Sequence, residues 1–287
     1  MKKIKILILL GVILLSTGCF KKDSLEGINI VTTTYPIEYV TSYLYKDHAN
    51  ISSIYPDGID TTTYTLSKKQ LNDYSKKNLF IYNGLSNDKD TAISFLDNNK
   101  KLLIIDSAYG MEYNYDASEL WLNPSNLLMI AHNIKDGLKE YMTNGYLEKE
   151  LDGKYEELKV TLSELDAEIK LTAENATRNT IVVNSDGLKY LEKYGFEVIS
   201  LDDTNEAISD RTVKDVTTMI NNGLVKHIFM LEHVENNDTI KNIIDSTNVE
   251  TYTFRRLDSI NDSERDEGKD YITIMKENIE LLKNELY

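Results

Sequence analysis

Cysteine is almost absent from this sequence of 287 residues, and the single one is Cys19. A disulfide framework is therefore excluded, and the fold must rely on its hydrophobic core. Proline occurs only three times, and no Gly/Ser-rich linker divides the chain. The short motifs of serine hydrolases, zinc proteases, phosphate-loop enzymes and dinucleotide-binding enzymes are also missing. Nothing in the sequence therefore supports an enzyme.

Basic residues are scarce relative to acidic ones. The chain has 32 Lys and Arg against 47 Asp and Glu, which gives a formal net charge of −15. Such a surface repels nucleic acid and anionic lipid headgroups, so nucleic acid is not expected as a partner. Two interpretations of the acidity remain open: it favours a cationic ligand, or it only keeps the protein soluble.

The first 18 residues have the layout of a secretory signal peptide. Three lysines among the first five residues precede an apolar run over residues 6–15, and small residues follow it. A helix of ten residues rises only about 15 Å, which is too short for a hydrocarbon core of about 30 Å. We therefore expect residues 1–18 to be removed on export rather than to span the membrane.

Cys19 directly follows Ser16, Thr17 and Gly18, which resembles the lipobox of bacterial lipoproteins. Ser16 stands where that motif more often has leucine. The resemblance implies cleavage before Cys19 and attachment of acyl chains to it, each buried methylene contributing about 0.8 kcal/mol to membrane binding. The expected location is the extracytoplasmic face of the cell membrane, with residues 19–26 as a tether.

The remaining chain predicts two α/β lobes. Short apolar strands alternate with helices, a pattern typical of parallel sheets. Residues 147–177 contain no proline, and their apolar residues recur at steps of three and four, which predicts one long amphipathic helix. We therefore predict an N-terminal lobe over 27–146, a linking helix over 147–177, and a C-terminal lobe over 178–287, with a ligand cleft between the lobes.

Several segments together resemble the solute-binding proteins of zinc and manganese ABC importers. They occur in the family's order along the whole mature chain, and they are 31–36 (VTTTYP), 54–60 (IYPDGID), 79–85 (LFIYNGL), 119–126 (ELWLNPSN), 188–195 (LKYLEKYG) and 268–278 (GKDYITIMKEN). The resemblance implies two α/β lobes, a divalent metal ion in the cleft, and a monomer that delivers it to an ABC permease with its ATPase. It implies no catalysis.

The resemblance also assigns four metal-ligand positions, and this sequence departs from the family at them. The family's two first histidines align with Thr62 and Glu119. Its third ligand aligns with Ser185, or with Asp186 if one residue is deleted, and its C-terminal acidic ligand aligns with Asp270. None of the four histidines falls on these positions; they are His48, His132, His227 and His233.

The implied ligand set, Thr62, Glu119, Asp186 and Asp270, contains only oxygen atoms. Zinc sites favour nitrogen and sulfur, whereas harder cations such as Mn²⁺ favour oxygen, so the choice between zinc and manganese stays open. His233 follows a predicted strand and is a further candidate. The alternatives are a relative that binds another ligand and a surface protein that acts in adhesion or other interactions.

Overall fold

The computed structural model describes residues 25–287. The predicted signal peptide over 1–18, the lipidated Cys19 and most of the predicted tether lie outside the described residues. No helix of the described part of the chain is both long and apolar enough to cross a membrane.

The N-terminal lobe is a four-stranded parallel sheet with helices on its faces. Its strands, in chain order, are β1 (Ile28–Thr32), β2 (Ala49–Ser53), β3 (Leu79–Tyr82) and β4 (Leu103–Asp106). They lie in the order β2-β1-β3-β4. The helices of this lobe are α1 (Tyr35–Tyr45), α2 (Lys68–Tyr74), α3 (Asp88–Asn98), α4 (Glu119–Leu122) and α5 (Pro124–Tyr141). Pro36 fits the first turn of α1, where its missing N–H costs no hydrogen bond.

The C-terminal lobe repeats the same topology. Its strands are β5 (Thr180–Val183), β6 (Glu197–Ser200), β7 (His227–Leu231) and β8 (Glu250–Phe254), all parallel in the order β6-β5-β7-β8. A 3₁₀-helix covers Asp186–Tyr194, and the α-helices are α7 (Asp210–Asn221), α8 (Asp238–Thr247), α9 (Asp262–Asp266) and α10 (Tyr271–Leu286). The predicted fold class, two parallel α/β lobes, is confirmed.

One helix, α6 (Gly145–Asn175), connects the two lobes. Its 31 residues correspond to a length of about 46 Å at 1.5 Å per residue. The buried leucines Leu151, Leu158 and Leu165 recur at seven-residue steps and give the helix one apolar side. They belong to a hydrophobic core that also contains residues of both lobes, such as Trp121 and Tyr271. The lobes therefore share a core and are held in a nearly fixed relation.

Asp166 on α6 is bonded to side chains of both lobes. Its Oδ1 accepts hydrogen bonds from the hydroxyl groups of Tyr194 at 2.7 Å and Ser125 at 2.9 Å, and Lys193 Nζ lies at 3.3 Å. Partial burial opposes ionisation, but these three donors outweigh it and lower the pKa of Asp166. The ionised carboxylate thus ties α5, the 3₁₀-helix and α6 together.

Replacing Asp166 with Asn should lower the free energy of unfolding by about 1–2 kcal/mol, since hydrogen bonds to a charged acceptor are stronger than neutral ones. Because the folded pKa is lowered, this contribution is complete above the pKa of an unfolded aspartate, about 3.9, and is lost as the pH falls through the folded value. Urea unfolding of wild type and variant across this pH range checks both points. A difference that stays constant down to the lowest pH would contradict this role for the carboxylate.

Candidate metal centre

Three potential metal ligands from both lobes meet at the carboxyl ends of the strands. Asp60 lies in the loop after β2, His233 follows β7, and Asp258 follows β8. One ligand atom from each lies within 4.8 Å of the others, and no other such group of three occurs within residues 25–287. We call these three residues the cleft cluster.

Asp258 is the most buried member of the cleft cluster, with 1% of its surface exposed. Its Oδ2 accepts a hydrogen bond from the Thr61 hydroxyl at 2.6 Å, and its backbone oxygen accepts one from the Tyr35 N–H at 3.0 Å. Its Oδ1 has no hydrogen bond among the described residues and lies 3.5 Å from His233 Nδ1. A buried carboxylate oxygen without a donor is costly, so a cation at this position would satisfy it.

Asp60 is prepared by its own loop to remain ionised. Its Oδ1 accepts hydrogen bonds from the Thr62 N–H at 2.9 Å and the Thr62 hydroxyl at 2.6 Å. Desolvation acts to raise the pKa of Asp60, but the Thr62 hydrogen bonds and the positive charge of the nearby Arg256 lower it. A deprotonated carboxylate is the form that binds metal ions.

Two residues with left-handed backbone conformation flank the cleft cluster. His233 and Leu257, directly before Asp258, both have φ of 64°. This region costs roughly 1–2 kcal/mol for a residue other than glycine, and such conformations concentrate at functional sites. The backbone is therefore strained at one cleft-cluster ligand, His233, and at the residue directly before another, Asp258.

The structure places the four ligands predicted from the resemblance in different settings. Thr62 lies beside the cleft cluster and bonds Asp60. Glu119 is buried, and its carboxylate accepts hydrogen bonds from the backbone N–H groups of residues 114–116, the shortest being 2.5 Å. Asp186 pairs with Lys189 at 2.8 Å.

Asp270 and Ser185 both cap helices. Asp270 Oδ1 accepts hydrogen bonds from the N–H and hydroxyl of Thr273 at the start of α10. Ser185 accepts one from the Gly187 N–H at the start of the 3₁₀-helix. Neither residue shares the cleft cluster, and neither do Glu119 and Asp186. The structure therefore does not bring the four ligands derived from the resemblance together at one point, and that ligand set stays a prediction.

Asp60 and Asp258 were not among the sequence-predicted ligands, whereas His233 was a further candidate. Both aspartates lie in the loops that follow strands, at the edge where the carboxyl ends of parallel strands gather. Asp60 stands two residues before Thr62, and Asp258 stands four residues after β8. The sequence signal for these two ligands is their position after a predicted strand. In a chain with this many acidic residues, that position alone does not distinguish a metal ligand from any other aspartate.

Replacing Glu119 with Gln should destabilise the protein by about 1–3 kcal/mol, because one amide oxygen replaces a charged carboxylate that accepts three backbone hydrogen bonds. Metal affinity should change less than about twofold, which corresponds to roughly 0.4 kcal/mol. Chemical unfolding and titration with Mn²⁺ measure the two effects. Loss of metal binding in a folded Glu119→Gln protein would instead support the ligand set predicted from the resemblance.

Comparison with known proteins places the chain in a family. The Streptococcus pneumoniae protein named manganese ABC transporter substrate-binding lipoprotein PsaA is 26% identical over 295 residues, which covers 95% of this chain and 93% of PsaA. The zinc-binding lipoprotein AdcA of Streptococcus pneumoniae (strain ATCC BAA-255 / R6) is 21% identical over 318 residues, which covers 99% of this chain but only 61% of AdcA.

The fold agrees with these relationships. The crystal structure of the metal-dependent lipoprotein YcdH from Bacillus subtilis superposes with a TM-score of 0.72 over 90% of this chain and 99% of YcdH, at 20% identity. The model of the family described as "ZnuA: Zinc-uptake complex component A periplasmic" matches residues 30–285. The resemblance noted in the sequence is thereby confirmed, and the chain belongs to the ZnuA family.

Proposed function

We propose that this chain is the extracytoplasmic substrate-binding lipoprotein of an ABC importer for a divalent metal ion, held in the cleft by Asp60, His233 and Asp258. The observation that carries the proposal is the convergence of these three ligands from two lobes within 4.8 Å. The family supports it, since PsaA is named for manganese transport and AdcA for zinc binding. The expectation that the chain is not an enzyme is confirmed by its family.

The donor set fits a cation of the zinc or manganese class. Two carboxylates and one imidazole supply oxygen and nitrogen ligands, which both metals accept. Replacing histidines by carboxylates makes the site harder, so it should discriminate less against Mn²⁺ than a site with several histidines. A divalent charge would also balance the two aspartates, which repel each other at this separation.

Binding a cation here would join the lobes directly, because Asp60 comes from one lobe and His233 and Asp258 from the other. The lobes are already connected by a hydrogen bond of 2.7 Å from Trp121 Nε1 to the Arg256 backbone oxygen and by the shared core. Closure should therefore involve small shifts rather than a wide swing. The permease and its ATPase would recognise the loaded protein through the difference in stability between two such states.

The remaining parts of the proposal concern the membrane and the partners. Lipid on Cys19 would hold the protein, as a monomer, at the outer face of the cell membrane beside its permease. Relatives named as lipoproteins of ABC transporters support this location. They favour metal transport over the alternatives of another ligand or an adhesive role.

Metal binding tests the ligand assignment with a matched pair of variants in a soluble form that begins at residue 20 and contains every helix and strand described above. After chelator treatment, Mn²⁺ or Zn²⁺ at 100 times the dissociation constant should add about 2.7 kcal/mol of stability. Asp258→Asn should abolish this shift, because an amide is a poor metal ligand. Asp270→Asn should keep the shift, because asparagine also caps helices well.

The outcomes separate the two ligand sets. If Asp270→Asn loses the thermal shift and Asp258→Asn keeps it, the cleft cluster is not the site. If neither Mn²⁺ nor Zn²⁺ stabilises the wild-type protein, the proposed metal transport is wrong.

Cys19→Ala tests the membrane anchor. In a bacterium that processes lipoproteins, labelled palmitate should be incorporated into the wild-type protein, and the variant should lose the label and leave the membrane fraction. Because Cys19 is the only cysteine, no other thiol can accept the lipid. Label retained by the variant would contradict the lipid anchor.

A further inference from the structure

A second feature of the cleft is a cavity of about 280 Å³ beside the cleft cluster. Thr34 and Asn83 line it, and they follow β1 and β3. In the order β2-β1-β3-β4 the connection after β1 leads to one side of it and β3 lies on the other side, so β1 and β3 form a topological switch point. Ligands of open parallel sheets bind at such a point. Arg256 from the other lobe also lines the cavity.

Arg256 is buried in the cavity wall with an unsatisfied donor. Only 8% of its surface is exposed, and its Nη2 lies 3.2 and 3.4 Å from the two carboxylate oxygens of Asp116. Its Nε has no hydrogen bond among residues 25–287, and the same holds for the buried Thr34 hydroxyl. Buried donors without acceptors are costly, so both groups indicate a ligand with acceptor oxygens.

The cavity adjoins the proposed metal site directly. Thr61 and Thr62 line it, and their hydroxyl groups donate to Asp258 at 2.6 Å and to Asp60 at 2.6 Å. Arg256 is only two residues from Asp258 along the chain. Three protein ligands leave coordination positions of a divalent cation unfilled, so a small ligand in this cavity could supply the missing donor.

We propose that the cavity binds a small monocarboxylate, held by Arg256 and Thr34, which supplies a further oxygen ligand to the cation. The inference rests on the proposed metal site and adds to it a second component of the cargo: the chain would capture the cation and a carboxylate as a pair. The free Nε–H of Arg256 can donate a charge-assisted hydrogen bond to a carboxylate oxygen, while Nη2 stays bonded to Asp116.

The size and charge of the cavity favour a small anion with one negative charge. A volume of 280 Å³ leaves ample room for an acid of a few carbons. Asp88 is buried in the same wall and accepts a hydrogen bond from the Tyr55 hydroxyl at 2.6 Å. Asp88 is an acidic group in addition to Asp116, the partner of Arg256. It would oppose a multiply charged anion such as phosphate more strongly than a monocarboxylate.

Calorimetric titration with Mn²⁺, with and without excess glycolate, tests the pairing on the chelator-treated protein. Glycolate is small enough for the cavity and binds Mn²⁺ only weakly in solution, so competition is minor. For the wild type, glycolate should lower the apparent dissociation constant of Mn²⁺ by about tenfold, the effect of one hydrogen-bonded charge pair. In Arg256→Gln the ratio of the constants with and without glycolate should approach one.

Lys189→Gln is the matched control, because it removes one positive charge from a residue outside the cavity lining and should keep the ratio. If Arg256→Gln does not fold, Thr34→Val replaces it and should bring the ratio closer to one, since it removes the second free donor with little change of shape.

The outcomes distinguish this inference from the proposed function. Mn²⁺ binding that is unaffected by glycolate overturns the anion site and leaves the metal site standing. An equal glycolate effect in Arg256→Gln overturns the role of Arg256. Absence of Mn²⁺ binding both with and without glycolate overturns the metal site and the anion site together.

Discussion

The parallel direction of the strands is the constraint on which the cleft depends. In each lobe four parallel strands end at one edge of the sheet, and the two edges face each other across the cleft. The segments after β1 and β2 therefore meet the loop after β8, as the backbone hydrogen bonds from Tyr35 to Asp258 and from Gly58 to Ile260 demonstrate. His233 after β7 reaches the same place, 3.5 Å from Asp258. Side chains separated by almost 200 positions become neighbours through this topology rather than through any local motif.

The same arrangement places two carboxylates close together in the cleft, where their negative charges need compensation. Asp258 is almost fully buried, and Asp60 is held ionised by its hydrogen bonds to Thr62. Among residues 25–287, Arg256 is the cation beside these carboxylates, and it is already engaged with Asp116. Buried carboxylates are stable only with compensating charge, so a divalent cation bound at the cleft cluster would offset their repulsion and hold the two lobes together.

The fold could be predicted from the sequence more fully than the site. Hydrophobic periodicity predicts the strands over 79–82, 180–183 and 227–231 with the bounds observed, and it places the linking helix over 147–177 where α6 covers Gly145–Asn175. It missed α3, whose apolar residues are few. The cleft cluster lies at a left-handed backbone at His233 and Leu257, a conformation that is uncommon for residues other than glycine and that no local pattern indicates. Alignment with the family's ligand positions cannot by itself show whether an aspartate such as Asp270 binds a metal ion or caps a helix, because a carboxylate can do either.

The most direct test of the account is anomalous diffraction from crystals of the Mn²⁺-loaded protein. The account predicts one strong peak in the cleft, within about 2.0–2.6 Å of a carboxylate oxygen of Asp60, a carboxylate oxygen of Asp258 and a ring nitrogen of His233. A peak bound instead by Glu119, Asp186 or Asp270, with the cleft cluster uninvolved, would contradict it.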